Sequence, residues 1–239
     1  MRYSRQIGLE KWGMEGQNKL GKSTVAVIGC GATGSAVSSV LARSGVNLIL
    51  CDGDSVEKTN LHRQIMFFES DVGKNKASVL GTRLNNANSE ISVNVIGEYL
   101  NDENTDVLLQ ADMVIDCTDN IDVRYMINRF SVENNIKWIY TGVSGREGMF
   151  MPVLPEKYCF NCIFPEKFKK ESKCEAVHPS LPVAVGSMAA HMAIDILIGS
   201  RQDDGRYMKL HYLNMSEFGI RKIDVKKRDS CEVCGIRKR

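Results

Sequence analysis

Apolar residues in this chain form short runs that alternate with longer segments of mixed polarity. The mixed segments have the length and composition of helices, the clearest being residues 121–134. Because strands and helices alternate, the pattern predicts an α/β fold with a doubly wound, mostly parallel sheet of the Rossmann type. Five segments have strand character: residues 25–28, 48–50, 92–96, 113–117 and 138–143.

The second part of the chain has a different pattern. Residues 149–154 form a strand-like run, in which Pro152 favours an edge position because proline cannot donate to a ladder. Residues 156–182 are rich in Lys and Glu and contain three prolines, which predicts a long surface loop or a partly ordered crossover. The remaining segments are an apolar, buried helix over residues 183–198 and antiparallel strands over residues 207–215 and 220–225.

The length of 239 residues and the hydrophobic fraction of 43% suit one large domain with a full core. We expect three parts within this domain. Residues 1–22 form an arm with helical character over residues 3–20, and residues 23–148 form a nucleotide-binding part. Residues 149–239 hold the crossover loop, the antiparallel strands and a zinc lobe.

Composition and charge exclude several classes of partner. The net charge of +2 favours neither nucleic-acid nor membrane binding. No segment approaches the roughly 18–20 apolar residues of a membrane span, and residues 1–13 lack the apolar core of a signal peptide. We therefore expect a cytoplasmic protein, in which the eight cysteines form no disulfide framework.

A glycine-rich turn follows the first strand. Gly29, Gly31 and Gly34 lie between that strand and a helix, and Asp52 ends the next strand. Glycines allow a tight turn and a close approach to phosphate oxygens, while the helix N-terminus adds free N–H groups. A carboxylate at the position of Asp52 can accept hydrogen bonds from ribose hydroxyls. The pattern predicts a nucleotide site without selecting the nucleotide.

Polar and basic residues downstream of this acid narrow the choice. Asn60, Arg63 and Gln64 follow closely, and Lys74 and Lys76 open the next predicted helix. Clustered Arg and Lys match more negative charge than the pyrophosphate bridge of a dinucleotide carries. We therefore expect a nucleoside triphosphate.

Asp119 and Asn120 follow another strand, at the sheet edge where ligands bind in open α/β folds. Asp119 could hold Mg²⁺ between phosphate oxygens, because a carboxylate is a hard ligand for a hard cation. Asp and Asn are also favoured as N-caps, here of the helix from residue 121. Both roles remain open from the sequence.

Four cysteines form two CxxC pairs, Cys159/Cys162 and Cys231/Cys234. Each pair can place two thiolates on one metal, and together they complete the tetrahedral set of a structural Zn²⁺ site. A disulfide or a redox-active pair is the alternative. Since four thiolates leave no open coordination position, we expect a structural role for the zinc ion.

The other cysteines have separate interpretations. Cys30, Cys51 and Cys117 lie in or beside buried strands, which indicates packing. Cys174 lies next to a lysine in the polar 156–182 loop, and this neighbour favours the thiolate. A catalytic or relay thiol and an incidental loop cysteine both remain open for Cys174.

Residues 16–23 match the P-loop pattern letter for letter. A P-loop follows a strand and opens a helix, whereas this match closes the helical arm and precedes a strand. Lys22 would then lie at the far end of that strand from the glycine turn. We therefore reject this segment as a phosphate site.

Together these motifs resemble the bacterial and archaeal ubiquitin-activating-enzyme-like adenylyltransferases, the ThiF/MoeB/HesA group. The resemblance spans nearly the whole chain in the order of the family. It is carried by residues 2–6, the glycine turn, Asp52-Gly53-Asp54, residues 59–64, Lys76, residues 116–120 and both CxxC pairs.

The resemblance implies ATP-dependent activation of a carboxylate as an acyl-adenylate, with release of pyrophosphate. The typical substrate is the C-terminal glycine of a ubiquitin-like sulfur-carrier protein in thiamine- or molybdopterin-type cofactor biosynthesis. The implied nucleotide-binding set is Gly29, Gly31, Gly34, Asp52, Asp54, Asn60, Arg63, Gln64, Lys76, Asp119 and Asn120.

Within that set, the resemblance assigns Asp52 to the ribose and Asp119 to Mg²⁺. It also implies that Arg5 reaches the phosphates of the neighbouring subunit, so that a homodimer completes the active site. The position of Cys174 matches a thiol used in later sulfur transfer. Arg5, Arg63, Asp119 and Cys174 are therefore the implied catalytic residues.

Three alternatives differ in substrate or class. Adenylation could act on a small-molecule or peptide carboxylate instead, for example a pyridinol acid in cofactor biosynthesis. The glycine turn alone would also suit an NAD-dependent oxidoreductase. The cysteine pairs alone would suit a non-catalytic scaffold that carries zinc.

Overall fold

The computed structural model describes residues 2–168, 176–199 and 208–235. Its helices are α1 (Ser4–Ile7), α2 (Gly13–Lys22), α3 (Ala32–Ser44), α4 (Lys76–Ala87), α5 (Ile121–Asn134), α6 (Phe160–Ile163) and α7 (Ser180–Ile198). Its strands are β1 (Thr24–Ile28), β2 (Asn47–Cys51), β3 (Val93–Ile96), β4 (Met113–Asp116), β5 (Lys137–Ser144), β6 (Glu147–Val153), β7 (Lys209–Asn214) and β8 (Gly219–Asp224).

The strands form a single mixed sheet. Their order is β3-β2-β1-β4-β5-β6-β7-β8. The first five strands in this order are parallel, and β6, β7 and β8 continue the sheet antiparallel. The predicted fold class is therefore confirmed. Strands β2 and β3 lie on one side of β1, and β4 and β5 lie on the other. The strand order therefore reverses between β1 and β4, and open α/β sheets bind ligands at the carboxyl ends of the strands at such a point.

The arm over residues 3–20 is helical but not continuous, since it consists of α1 and α2. Between the two helices Lys11 has a φ of 67°, and Gly13, the first residue of α2, has a φ of 58°. These left-handed conformations cannot continue a right-handed helix. The arm therefore consists of two short helices joined by a turn.

Strand β6 lies inside the sheet, between β5 and β7, contrary to the edge position expected from its proline. Pro152 pairs with Ile139 of β5, but pairing with β7 stops at Phe150. The missing N–H of Pro152 therefore falls beyond the segment where β7 could accept it. Pro152 therefore has the unpaired position expected of a proline, although β6 itself is not an edge strand.

Helix α7 corrects the expectation that no segment approaches the length of a membrane span. It has 19 residues with a mean hydropathy of 1.7, which by length and composition alone would suffice to cross a membrane. Of its most apolar stretch, 61% is buried inside the protein. A Cβ at Gly186 would lie 2.7 Å from the Thr33 carbonyl oxygen and 2.9 Å from the Ala36 side chain, so α7 packs directly on α3. This is the burial of a core helix.

We predict that Gly186→Ala lowers the free energy of unfolding by about 1–3 kcal/mol, because the added methyl group must push α7 away from α3. Urea denaturation at fixed protein concentration measures this. Gly21→Ala is the matched control, since a Cβ at this helical glycine meets nothing within 4 Å. The control should be neutral or stabilising by up to about 1 kcal/mol. Equal stability of the two variants would contradict the close packing of α7 on α3.

Candidate active site

The glycine turn lies between β1 and α3, as predicted. Gly29 has a φ of 88°, and a Cβ there would lie 2.9 Å from the Cys117 carbonyl group. A Cβ at Gly34 would lie only 1.8 Å from the Gly29 carbonyl oxygen. α3 begins after Gly31 without a side-chain cap among the described residues. The first N–H groups of α3 therefore point toward an open crevice and can bind an anion.

Asp52 connects the end of β2 to this turn. Its buried carboxylate accepts hydrogen bonds from the backbone N–H of Cys30 at 2.6 Å and of Asp54 at 2.8 Å. Burial raises the pKa of Asp52, and these two hydrogen bonds oppose the rise. Each carboxylate oxygen can accept a further hydrogen bond. Asp52 can therefore bind a hydroxyl group while holding the turn in place.

Two buried amides beside the turn carry unsatisfied oxygens. Asn60 and Gln64 are only 8% and 4% exposed, yet Asn60 Oδ1 and Gln64 Oε1 have no hydrogen-bond partner among the described residues. Gln64 Nε2 would lie 3.5 Å from a Cβ at Gly31, so this side chain lies against the glycine turn. A buried acceptor without a donor is costly. These two oxygens are therefore available to accept hydrogen bonds from a ligand or from water molecules.

Lys76 lies at the start of α4, and its buried ammonium group is 2.8 Å from Asp54 Oδ2. The hydroxyl of Tyr99 donates to the other oxygen of Asp54. Burial alone would raise the pKa of Asp54, but the hydrogen bonds from Lys76 and Tyr99 lower it. The hydrogen bond to Asp54 raises the pKa of Tyr99 to about 12. Lys76 is thus held in the crevice by a carboxylate that a phosphate group would have to share.

Arg63 is half-buried in the segment after β2. Its Nη1 lies 3.2 Å from the Thr59 carbonyl oxygen and 2.9 Å from His62 Nε2. Within the described ranges, the other two guanidinium nitrogens have no hydrogen bond. They remain available for a bidentate contact with phosphate oxygens.

The loop of residues 117–120 joins β4 to α5 at the same edge. Asn120 caps α5, because its Oδ1 accepts from the backbone N–H groups of Asp122 and Val123. Asp119 is exposed and forms no ion pair in the part of the chain that the structure describes. The N-cap of α5 is therefore Asn120, and the cation role of Asp119 stays a prediction.

The residues of the arm lie at the opposite edge of the sheet. Gln6, next to Arg5, donates from Nε2 to the Ser44 carbonyl oxygen at the end of α3, 3.0 Å away. Since α3 has 13 residues, that end lies about 20 Å from the glycine turn. Lys22 ends α2 at this same edge, which agrees with the rejection of the P-loop match. Arg5 therefore lies far from the glycine turn of its own chain.

The four cysteines of the CxxC pairs form one cluster. Their sulfur atoms all lie within 4.8 Å of one another. The Sγ–Sγ distances are 4.0 Å for Cys159–Cys162, 3.6 Å for Cys159–Cys231 and 3.4 Å for Cys162–Cys234. The thiol–thiol hydrogen bond to Cys162 and burial raise the pKa of Cys159. Thiolates packed this closely require a cation to offset their charge.

The remaining cysteines are consistent with packing where they can be described. Cys30 and Cys51 are buried, and burial raises the pKa of the Cys51 thiol to about 12. Cys117 is partly buried beside the glycine turn. Cys174 lies outside the described residues, so its role stays a prediction.

Two residues of this edge were not identified from the sequence. Tyr99 lies 45 positions from Asp54, and Arg124 contacts Asp116 eight positions earlier, across the 117–120 loop. The only available sequence signal was for Arg124, which lies in the first turns of a helix that directly follows a site loop.

Comparison with known proteins agrees with this geometry. The family model described as ThiF family matches residues 3–233. The sulfur carrier protein ThiS adenylyltransferase of Escherichia coli is 34% identical over 241 residues, which cover 98% of this chain and 95% of the relative. The SAMP-activating enzyme E1 of Haloferax volcanii is 30% identical, with 98% and 88% covered.

Solved structures show the same fold with bound nucleotide. The crystal structure of E. coli MccB with ATP has a TM-score of 0.84 at 29% identity and covers 98% of this chain and 74% of that protein. The structure of the microcin C7 biosynthetic enzyme MccB in complex with N-formylated MccA has a TM-score of 0.83 at 28% identity. The chain therefore belongs to the ThiF family and is an adenylyltransferase.

Proposed function

We propose that this protein uses ATP to activate the C-terminal glycine of a ubiquitin-like sulfur-carrier protein as an acyl-adenylate. The observation that carries the proposal is the crevice that Gly29, Gly34, Lys76 and Arg63 form at the carboxyl edge of the sheet. The relatives named for sulfur carriers, ThiS and SAMP, support the choice of substrate. A further relative is the sulfur carrier protein adenylyltransferase of Thermus thermophilus, at 32% identity.

In this reaction a carboxylate oxygen attacks the α-phosphorus of ATP. The bond from that phosphorus to the bridging oxygen breaks, and pyrophosphate leaves. The attacking carboxylate and the triphosphate repel each other, so cationic groups must offset the charge that develops on the phosphates. Arg63 and Lys76 supply this charge, the N–H groups of α3 bind phosphate oxygens, and Asp52 orients the ribose.

The proposed cation fits the site. Mg²⁺, when bound, offsets negative charge on the phosphate oxygens, and Asp119 is the exposed carboxylate placed to hold it. Arg5 lies at the wrong edge to act in its own protomer and is assigned to the site of a partner subunit, which makes a homodimer the active unit. These assignments, and that of Cys174 to later sulfur transfer, remain proposals.

The cysteine cluster fits zinc. A Zn–S distance of 2.3 Å in a tetrahedron places the sulfur atoms roughly 3.8 Å apart; three of the Sγ–Sγ distances here are 3.4–4.0 Å, and all lie within 4.8 Å. The backbone N–H of Arg228 also donates to Cys162 Sγ at 3.5 Å, as outer hydrogen bonds to metal thiolates do. Cys159, Cys162, Cys231 and Cys234 would then fix the C-terminal segment to α6.

A second substrate class is supported by the MccB structures, one of which holds N-formylated MccA. In that case the same crevice adenylates a peptide or small-molecule carboxylate. An NAD-dependent oxidoreductase and a non-catalytic scaffold have no such support, because the named relatives are adenylyltransferases.

We predict ATP–pyrophosphate exchange that depends on a ubiquitin-like protein ending in Gly-Gly. Exchange of labelled pyrophosphate is measured with that protein, with the same protein lacking its last two residues, and with a panel of peptides and small acids. Only the intact carrier should support exchange. Exchange with peptides or small acids alone would move the assignment to the second substrate class.

Substitution of two lysines at opposite edges of the sheet should have different effects on exchange. Lys76→Ala removes a cation from the crevice and should lower kcat/KM for exchange by about 100-fold or more. Lys22→Ala changes the lysine of the P-loop-like segment at the opposite edge and should stay within about twofold of the wild type. A larger loss of exchange in Lys22→Ala than in Lys76→Ala would contradict our assignment of the triphosphate to the carboxyl edge of the sheet.

The purified protein should contain one zinc ion per chain by elemental analysis. Cys231→Ser should lose that ion and melt at least about 5 °C lower, because metal binding stabilises only the folded state. Cys51→Ser is the matched control, since a hydroxyl can keep the hydrogen bond that Cys51 makes to the Glu98 carbonyl oxygen at 3.2 Å. Full zinc content in Cys231→Ser would rule out the proposed ligand set.

A further inference from the structure

A buried ion pair lies directly beneath the 117–120 loop. Asp116 at the end of β4 is fully buried, and Arg124 donates from Nε to its Oδ2 at 3.0 Å with a side chain only 14% exposed. Burial raises the pKa of Asp116, and burial would lower the pKa of Arg124 but for the Asp116 carboxylate, which raises it. A buried ion pair is often no better for stability than packed apolar residues. Its presence at the site edge therefore needs a functional reason.

The guanidinium group also holds the backbone on both sides of the loop. Its Nη2 donates to the carbonyl oxygens of Thr118 at 2.5 Å and of Thr141 at 3.3 Å. The group lies over the ring of Tyr140, 5.1 Å from its centroid. A planar fork can reach three acceptors at fixed angles, whereas the point charge of a lysine cannot. Arg124 thus ties the loop to the end of β4 and to the middle of β5.

The side chains around Asp119 are already engaged. Thr118 donates from its hydroxyl to Asp116 Oδ1 at 2.7 Å, and Asn120 caps α5. Their contacts fix the backbone on each side of Asp119, whose carboxylate stays exposed. The backbone on each side of Asp119 is therefore held by hydrogen bonds of Thr118 and Asn120.

We propose that Arg124 is a positioning residue that fixes the 117–120 loop, so that Asp119 presents its carboxylate to the cation on the triphosphate. This inference rests on the proposed function, in which Asp119 holds that cation. Residues that orient a metal ligand from behind typically change metal affinity by about 10–100-fold when they are mutated.

The test uses the full-length protein with a non-hydrolysable ATP analogue and Mn²⁺ in place of Mg²⁺. Electron paramagnetic resonance measures Mn²⁺ affinity in the ternary complex, and calorimetry measures affinity for the metal-free analogue. Arg124→Lys should weaken Mn²⁺ binding by about 10–100-fold and leave metal-free nucleotide binding within about twofold. Arg129→Lys is the matched control on the same helix, because Arg129 contacts only the exposed Glu166 among the described residues, at 3.4 Å. It should match the wild type.

A double variant separates positioning from a general structural effect. If Arg124 acts through Asp119, Arg124→Lys should add nothing to Asp119→Asn, whereas independent effects would multiply and overturn the inference. Should Arg124→Lys fail to fold, Thr118→Val removes one hydrogen bond from the same Asp116 carboxylate and should weaken Mn²⁺ binding in the same direction. Wild-type Mn²⁺ binding by that folded variant would then overturn the inference.

The remaining outcomes distinguish this inference from the proposed function. If Asp119→Asn is impaired and Arg124→Lys is not, only the positioning role is overturned. If Asp119→Asn binds Mn²⁺ as the wild type does, the metal assignment of Asp119 fails and the inference fails with it.

Discussion

The close approach of the Gly34 backbone to the Gly29 carbonyl is the contact on which the rest of the site depends. A Cβ at Gly34 would lie 1.8 Å from that oxygen, and one at Gly29 would press on Cys117. Only glycine allows the ends of β1 and β4 and the start of α3 to meet. Asp52 accepts a hydrogen bond from the backbone N–H of Cys30 in this turn and so helps to fix its conformation.

The buried cations at the carboxyl edge of the sheet are paired with carboxylates. Lys76 is paired with Asp54, and Arg124 is paired with Asp116, so neither cation is isolated in a buried place. The unsatisfied groups are the amide oxygens of Asn60 and Gln64 and the free side of Arg63. A triphosphate bound here, as proposed, would share Lys76 with Asp54 and could bind the nitrogens of Arg63 that have no hydrogen bond among the described residues. The carboxylate partners of Lys76 and Arg124 offset part of the cost of burying these cations.

Much of the fold could be predicted from local pattern. The bounds of α5 and the run of parallel strands followed from apolar periodicity, and the cysteine cluster followed from spacing. Contacts between distant elements could not be predicted. Tyr99 and Lys76 both contact Asp54, and these contacts depend on how the segment after β2, the start of α4 and the segment after β3 come together. Arg124 gains its role only because β4 and β5 are neighbours. The break between α1 and α2 lies between Gly8 and Gly13, and these two glycines are a sequence signal for a break that the helical interpretation of the arm did not use.

A crystal structure of the protein with Mg²⁺ and a non-hydrolysable ATP analogue tests the central claim most directly. We expect the triphosphate to lie against the turn from Gly29 to Gly34, with Arg63 and Lys76 on its oxygens and the ribose on Asp52. We also expect Arg5 of a second copy to reach the phosphates. A triphosphate bound at the amino edge beside Lys22, or a crevice closed to nucleotide, would contradict the account.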